Sequence, residues 1–151
     1  MASLVIHGPM PERFEHHLRE ANEALGYYRI DALDQLLAMY REQWPKGLSS
    51  TMFREAEIRP LLSEKGLSDP RHAQKATSLR AEFNLLREEF DRQNPEGVSG
   101  VRFWASAGRH CDAARQLDQS IVPLAGKWSL PLPDCGQEWC PCNWTWEFDL
   151  G

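Results

Sequence analysis

The sequence predicts an α+β protein with a helical N-terminal region of three or four helices, residues 1–97, and a small Cys/Trp-rich module, residues 98–151. Apolar residues recur at helical spacing in the first region, whereas apolar and polar residues alternate in the second, as they do in strands. All four cysteines and five of the six tryptophans lie at or after Trp104. A module this small has a thin core, so bulky aromatic residues and a staple are expected to stabilise it. We expect the two regions to pack as one compact unit.

Three helices are predicted in the first half of the chain, after a short strand at residues 4–6. The first begins at Pro11, a favoured first helical residue, and ends at Gly26. The second ends near Pro45, and the third is expected to break at Pro60, because proline lacks an N–H donor and clashes with the preceding turn. The apolar residues that define the first two helices are Phe14, Leu18, Ala21 and Leu25, then Ile30, Leu33, Leu36, Leu37 and Tyr40.

The longest predicted helix begins at Pro70, after the capping residue Asp69, and ends at the Asn-Pro-Glu-Gly sequence of residues 94–97. Its apolar residues are spaced three and four apart, which is more often a core face than an oligomer interface. We therefore expect them to be buried against the helices that carry Leu18 and Leu33. These residues are Ala76, Leu79, Phe83, Leu86 and Phe90.

Short elements are predicted in the C-terminal module. Residues 98–105 favour a strand, and residues 112–117 favour a short helix. Prolines bias residues 130–133 toward extended geometry. The tail, residues 144–148, alternates large apolar and polar side chains, which is typical of a strand.

The charge and the apolar pattern exclude several classes of partner. A net charge of −5, without clustered basic residues, disfavours nucleic acid and anionic membranes. No apolar run is long enough to span a membrane, and the first residues lack the features of a signal peptide. We therefore expect a cytoplasmic protein, in which thiols stay reduced.

The cysteines are the main candidate site. Cys135, Cys140 and Cys142 fall within eight positions, and Cys111 lies at the start of the predicted short helix, where the backbone favours a thiolate. Clustered thiols in a reducing compartment are typical of zinc ligands, and zinc prefers four of them in a tetrahedron. The sequence therefore predicts a structural zinc site with these four ligands, and His110 is an alternative fourth ligand.

Two other interpretations of the cysteines remain open. They can be reduced, buried residues that behave as small apolar side chains. They can also carry thiol chemistry, with Cys140 and Cys142 as a redox pair or with Cys111 as a nucleophile beside His110. No nucleophile-elbow motif accompanies them.

A histidine pair lies in the first predicted helix. His16 and Glu20 stand four apart on one helical face, next to His17. No H-E-x-x-H motif is present, and Phe14 and Leu18 define the buried face, so we interpret these residues as solvent-exposed polar positions.

The cysteine segment resembles a known motif. Residues 111–123 (CDAARQLDQSIVP), 130–135 (LPLPDC) and 140–142 (CPC) are similar to the C-terminal cysteine motif of phage minor head (head-morphogenesis) proteins, and also to the cysteine tail of small uncharacterised bacterial proteins. Ala114 stands where the phage family has its second cysteine, and Gln119 replaces a glycine. The resemblance implies a bacterial or phage-derived module that holds zinc.

The sequence thus favours a non-enzymatic interaction or adaptor protein with structural zinc and a protein partner. The alternative is a thiol-dependent redox protein or a protein with a cysteine nucleophile. Zinc content and the titre of free thiols separate the two.

Overall fold

The computed structural model describes residues 8–47, 53–93, 98–106, 111–123, 130–132, 135, 137–139 and 142–148. The chain divides into two compact units, and the division falls between Leu85 and Leu86. The predicted α+β class is confirmed, since helices precede a small antiparallel sheet. The predicted boundary at Gly97 and the predicted strand at residues 4–6 lie outside the described residues.

The described part of the first 93 residues contains five α-helices, two of them a single turn long. None of the helices in the described ranges is both long and apolar enough to cross a membrane. The α-helices are α1 (Glu12–Leu25), α2 (Leu33–Gln43), α3 (Glu55–Ile58), α4 (Glu64–Leu67) and α5 (Pro70–Gln93). Short 3-10 turns cover Ile30–Ala32, Trp44–Lys46 and Arg59–Leu61, so the break expected near Pro60 is present.

Local sequence sets the ends of the longer helices. Gly26 ends α1 in the left-handed conformation, with φ of 73°, and its N–H donates to the Asn22 carbonyl at 2.6 Å. Helix α5 begins at Pro70 as predicted, and the Asp69 carboxylate accepts the His72 N–H at 3.2 Å. One expectation is wrong by a residue: Pro11 is the extended N-cap of α1 and not its first helical residue.

The core of the N-terminal unit is aromatic. The Phe14 ring lies 5.0 Å from the Tyr40 ring and 4.7 Å from the Trp44 ring, and Tyr40 also contacts Phe53. The apolar stripes predicted for α1 and α2 are buried, with one exception. Ile30, which lies in the turn before α2, is 83% exposed and takes no part in the core.

Two buried amide side chains hold loop backbone in this unit. Asn22 accepts the Tyr28 N–H at 2.8 Å and donates to the Tyr28 carbonyl at 3.0 Å. Gln74 accepts the Phe53 N–H at 3.0 Å and donates to the Phe53 carbonyl at 2.9 Å. A buried backbone group without a partner is destabilising, so each amide satisfies two groups at once.

The buried face of α5 differs from the predicted one. Leu79, Phe83 and Leu86 are only half-buried, and the side chain of Phe90 lies outside the described residues. The Ser78 hydroxyl hydrogen-bonds with the Tyr40 hydroxyl, so the small-residue face of α5 meets α2. The large Tyr40 side chain leaves room only for small partners at this contact. The buried α5 residues include Ala73, Gln74, Ala76, Thr77, Ser78, Ala81 and Leu85.

The C-terminal unit contains a three-stranded antiparallel sheet and one helix. Strands β1 (Val98–Trp104) and β3 (Asn143–Phe148) and helix α6 (Asp112–Leu117) confirm the predicted elements. Strand β2 (Ile121–Pro123) was not predicted from the sequence. The strand order is β2-β1-β3, so β1 is central.

The two faces of the sheet differ in character. On one face Val101, Phe103 and Trp144 are buried, and the Phe103 and Trp144 rings are 5.0 Å apart. Arg102 lies on the other face, directly opposite Ile121. The first face is therefore the core face, and the second, which we call the outer face, includes Gly100, Arg102, Trp104, Ile121, Thr145 and Glu147.

Candidate functional site

Cys111 is the N-cap of α6. Its backbone is extended, with φ of −86° and ψ of 172°, and its sulfur accepts the Ala114 N–H at 3.4 Å. The first N–H groups of a helix have no partner within the helix, and a sulfur at the N-cap can accept one of them. The prediction that Cys111 lies at a helix start is therefore confirmed.

The structure brings Cys135 to Cys111, although the two residues are separated by 23 others. Their side chains hydrogen-bond to each other. The backbone of Cys135 is held by its own N–H, which donates to the Leu132 carbonyl at 2.9 Å. Both thiols are reduced and half-buried. The Cys111–Cys135 contact is thus the best-defined part of the predicted cysteine cluster.

The surroundings of Cys111 stabilise its thiolate form. The hydrogen bond from the Ala114 N–H is the main cause that lowers the pKa of Cys111 below its ordinary value, and the Cys135 side chain lowers it further. Partial burial opposes these hydrogen bonds, because a charged sulfur is less stable away from water. A thiolate is the form of cysteine that binds metal and attacks electrophiles.

Cys142 is the third described cysteine, and it is buried. Its sulfur accepts the Ser106 N–H at 3.4 Å. The pairing of Trp104 with Asn143 explains this contact, because it sets the residues after β1 beside the residues before β3. The sulfurs of two predicted ligands, Cys111 and Cys142, therefore accept hydrogen bonds from backbone N–H groups.

The full predicted ligand set is not covered by the described residues. Cys140 and the alternative ligand His110 lie outside them. The site of Cys111, Cys135, Cys140 and Cys142 accordingly stays a prediction. The chemistry of the described donors fits zinc, since reduced thiols with N–H donors on sulfur are suited to hold a thiolate-bound cation.

A second cluster lies on α1, in the N-terminal unit. The donor atoms of His16, His17 and Glu20 all lie within 4.8 Å of one another. The interpretation of these residues as solvent-exposed is correct for His16 and Glu20 and wrong for His17, which is only 7% exposed. His17 follows the exposed residue His16 by one position on the helix, and this step turns its ring toward the core beside Leu18. The sequence signal was present, because His16 and Glu20 stand four residues apart.

A third group of polar side chains lies in the N-terminal unit and includes Tyr40 and its neighbours Tyr28 and Glu82. The Tyr28 and Thr77 hydroxyls are buried and have no hydrogen-bond partner among the described residues. Burial, and then the nearby Tyr28, raises the pKa of Tyr40, and burial raises the pKa of Glu82 to about 7. No sequence motif pointed to this group, because its members come from three separate segments.

Comparison with protein-family models, with curated proteins and with solved structures gives no match for this chain. The resemblance of the cysteine segment to phage minor head proteins therefore stays a prediction.

Proposed function

We propose that the chain is a non-enzymatic interaction or adaptor protein whose C-terminal unit is stabilised by structural zinc. The ligands are Cys111, Cys135, Cys140 and Cys142. The observation that carries the proposal is the hydrogen bond between the Cys111 and Cys135 side chains, which come from distant parts of the sequence. Clustered thiols joined across a small unit are what a structural zinc site requires.

Charge supports the same proposal. Four thiolates bring four negative charges to one doubly charged cation, so the site needs donors that stabilise the excess. The Ala114 N–H on Cys111 and the Ser106 N–H on Cys142 supply two of them. Such N–H donors orient the ligands and tune the metal.

The outer face of the sheet is the surface that we propose for the protein partner. Trp104 is 40% exposed and Ile121 is 48% exposed on this face. The Trp104 indole N–H donates to the Thr145 hydroxyl at 2.6 Å, and Arg102 pairs with Glu147 at 2.7 Å. The exposed Trp104 ring is thus held in place by a polar neighbour, and aromatic residues are enriched at the centres of protein interfaces.

The proposed setting is the bacterial cytoplasm. A reducing compartment keeps the thiols of Cys111, Cys135 and Cys142 reduced, the state in which they can bind zinc. A net charge of −5 disfavours nucleic acid and anionic membrane as partners. The likeness of the cysteine segment to phage minor head proteins supports an origin in a phage or prophage.

Metal content and free thiols test this function together. Protein purified without added metal is expected to contain one zinc ion per chain and to show no thiol that reacts before denaturation. Cys135→Ser is expected to lose the zinc, whereas Ser106→Ala, which keeps the backbone donor, retains it. Metal-free protein with four reactive thiols would contradict the proposal.

The Cys111–Cys135 contact favours thiol exchange as a second function. The Cys111 thiolate would attack a disulfide in a substrate and release one substrate thiol. Cys135 would then attack the mixed disulfide, which releases the second substrate thiol and leaves a Cys111–Cys135 disulfide. Metal-free protein in which Cys111 is alkylated faster than Cys142 at neutral pH would favour this function, because the pKa of Cys111 is lowered.

A further inference from the structure

The cluster on α1 has the donor set of a metal site, and it is separate from the cysteines. His16 and Glu20 lie one helical turn apart, which places their side chains on the same face. The His16 Nε2 atom is 3.3 Å from a carboxylate oxygen of Glu20. His17 adds a third donor within 4.8 Å of the other two.

These distances agree with coordination of a single ion. Around tetrahedral zinc with bonds of roughly 2.0–2.1 Å, neighbouring donor atoms are about 3.4 Å apart. The His16–Glu20 separation of 3.3 Å already has this value. The limit of 4.8 Å means that the His17 donor has to approach by no more than about 1.4 Å to reach this separation.

One of the three proposed ligands, His17, is buried, whereas His16 and Glu20 are accessible to solvent. His17 is only 7% exposed, and its ring packs edge-on against the His16 ring with 5.2 Å between centroids. The side chains of His16 and Glu20 are 51% and 55% exposed. A cation can therefore enter from solvent and keep water in its remaining coordination positions.

The charge of α1 favours a cation. The helix carries four glutamates and two arginines, which leaves a net charge of −2. Arg19, next to Glu20 in sequence, is engaged by Glu15 at 3.0 Å and by Asp34 at 2.6 Å. Its positive charge is thus already balanced by two carboxylates.

We propose that His16, His17 and Glu20 form a surface site for a divalent cation of the Zn²⁺, Co²⁺ and Ni²⁺ class. Imidazole nitrogen with one carboxylate oxygen is a donor set that suits these borderline ions, in contrast to the thiolates of the C-terminal unit. The site is independent of the proposed zinc site, because it shares no residue with it.

Binding of Co²⁺ to the full chain tests this site. Thiolate ligands give cobalt an intense charge-transfer band, whereas imidazole and carboxylate ligands give only weaker d–d bands. Equilibrium dialysis with a phosphine reductant is expected to show one bound Co²⁺ that adds nothing to the thiolate band. His16→Ala and Glu20→Gln should each weaken binding of this ion by roughly tenfold or more, since even indirect partners of a metal are worth that much.

Matched variants separate this site from unspecific binding. His72→Ala removes a histidine that packs on Tyr27 in a different place, and Glu23→Gln removes an exposed carboxylate of the same helix. Both are expected to retain the ion, as is Cys111→Ser. The proposal is overturned if His16→Ala and His72→Ala bind Co²⁺ equally, or if all the bound Co²⁺ is lost in Cys111→Ser. Because His16 and Glu20 are half exposed, neither substitution removes a core contact.

Discussion

At the scale of single residues, Glu82 is a carboxyl group whose surroundings disfavour its charged form. Burial raises the pKa of its carboxyl from 4.5 to about 7, and the carboxyl interacts with the nearby Tyr40 hydroxyl. The folded protein therefore binds this proton more tightly than the unfolded chain does. Protonation of Glu82 therefore stabilises the folded state. This contribution is fully present below pH 4.5 and is lost as the pH rises through about 7.

Glu82→Gln is expected to remove this pH dependence. The wild-type free energy of unfolding should fall by at most about 3 kcal/mol more than that of the variant between pH 4.5 and pH 8, given about 1.4 kcal/mol per pKa unit. Urea melts at several pH values measure the difference. Glu23→Gln, on the exposed face of α1, is the control, and equal pH profiles for wild type and Glu82→Gln would show that Glu82 is not the cause.

Individual residues also show what sequence reasoning misses. Cys111 was placed correctly at a helix start, because a local pattern marked it. Asn22 and Gln74 were not singled out, because an amide has no apolar periodicity and its partners, Tyr28 and Phe53, lie elsewhere in the chain. Only the folded structure shows that the backbone groups of Tyr28 and Phe53 are buried and need these partners.

At the scale of elements, α5 shows that large apolar residues do not always mark the buried face. Leu85 is 1% exposed, whereas Leu79 on the predicted stripe is half-buried. Small residues such as Ser78 and Ala81 are buried instead, and Ser78 lies against the large Tyr40 side chain of α2. The spacing of apolar residues identifies the face with the largest side chains. It does not show how much space the neighbouring helix leaves for them.

A matched pair of leucines tests this face of α5. Leu85→Ala is expected to lower the free energy of unfolding by about 2–5 kcal/mol, the range for a buried leucine. Leu79→Ala should cost about 1 kcal/mol, since its side chain keeps solvent contact. Denaturant melts followed by circular dichroism compare the two, and equal losses would restore the face predicted from the sequence.

The short strand β2 depends on a glycine in β1. A Cβ on Gly100 would lie 2.5 Å from the Val122 carbonyl oxygen, which belongs to the backbone and cannot move aside as a side chain does. Gly100→Ala is therefore expected to cost the C-terminal unit about 1–3 kcal/mol by separating β1 from β2. Ser99→Ala, at the exposed neighbouring position, should change stability by less than about 0.5 kcal/mol. A melt that leaves Gly100→Ala as stable as Ser99→Ala would contradict this view of β2.

The strands illustrate which elements a sequence can predict. β3 alternates Trp144, Trp146 and Phe148 with polar residues, and β1 carries Val98, Val101 and Phe103 over seven positions, so both were predicted. β2 has three residues and ends at Pro123, so it offers no period to detect. Its position is fixed by pairing with β1, which is a tertiary interaction.

At the scale of the whole molecule, the two units contain very different numbers of tryptophans. Trp44 is buried in the N-terminal unit, and the other five follow position 103. Tryptophan fluorescence therefore reports mainly on the C-terminal unit, whereas helical circular dichroism reports mainly on the N-terminal one. The two signals can be followed separately in one sample.

Removal of metal is expected to affect only one of these signals. A strong chelator should shift the tryptophan fluorescence while most of the helical circular dichroism remains, because zinc binding is coupled to folding of the segment that supplies its ligands. Cys140→Ser should reproduce the shift without chelator. The same experiment in a Trp44→Phe variant shows whether the change comes from the C-terminal unit. Fluorescence that changes neither with chelator nor in Cys140→Ser would contradict the zinc hypothesis.

For the candidate cysteine site, the helix start at Cys111 was predictable, but the backbone hydrogen bonds to the sulfurs were not. The spacing of the cysteines pointed to a cluster, and the helix start at Cys111 is where the sequence put it. The N–H donor from Ser106 to Cys142 depends on the sheet register, which spacing alone does not encode. The histidine cluster on α1 was visible as a spacing, but the burial of His17 was not.

The pairing of β1 with β3 also sets an order of events during protein synthesis. The N-terminal unit needs only residues up to Leu85, so it can fold while the rest of the chain is still being translated. The central strand of the sheet must wait for β3, which ends at Phe148. At about 5–20 residues per second, that interval lasts roughly 3 to 13 seconds. During this time Cys111 and then Cys135 emerge without the strand that completes their unit, so the nascent chain is most exposed to premature oxidation or to scavenging of the wrong metal at the ribosome.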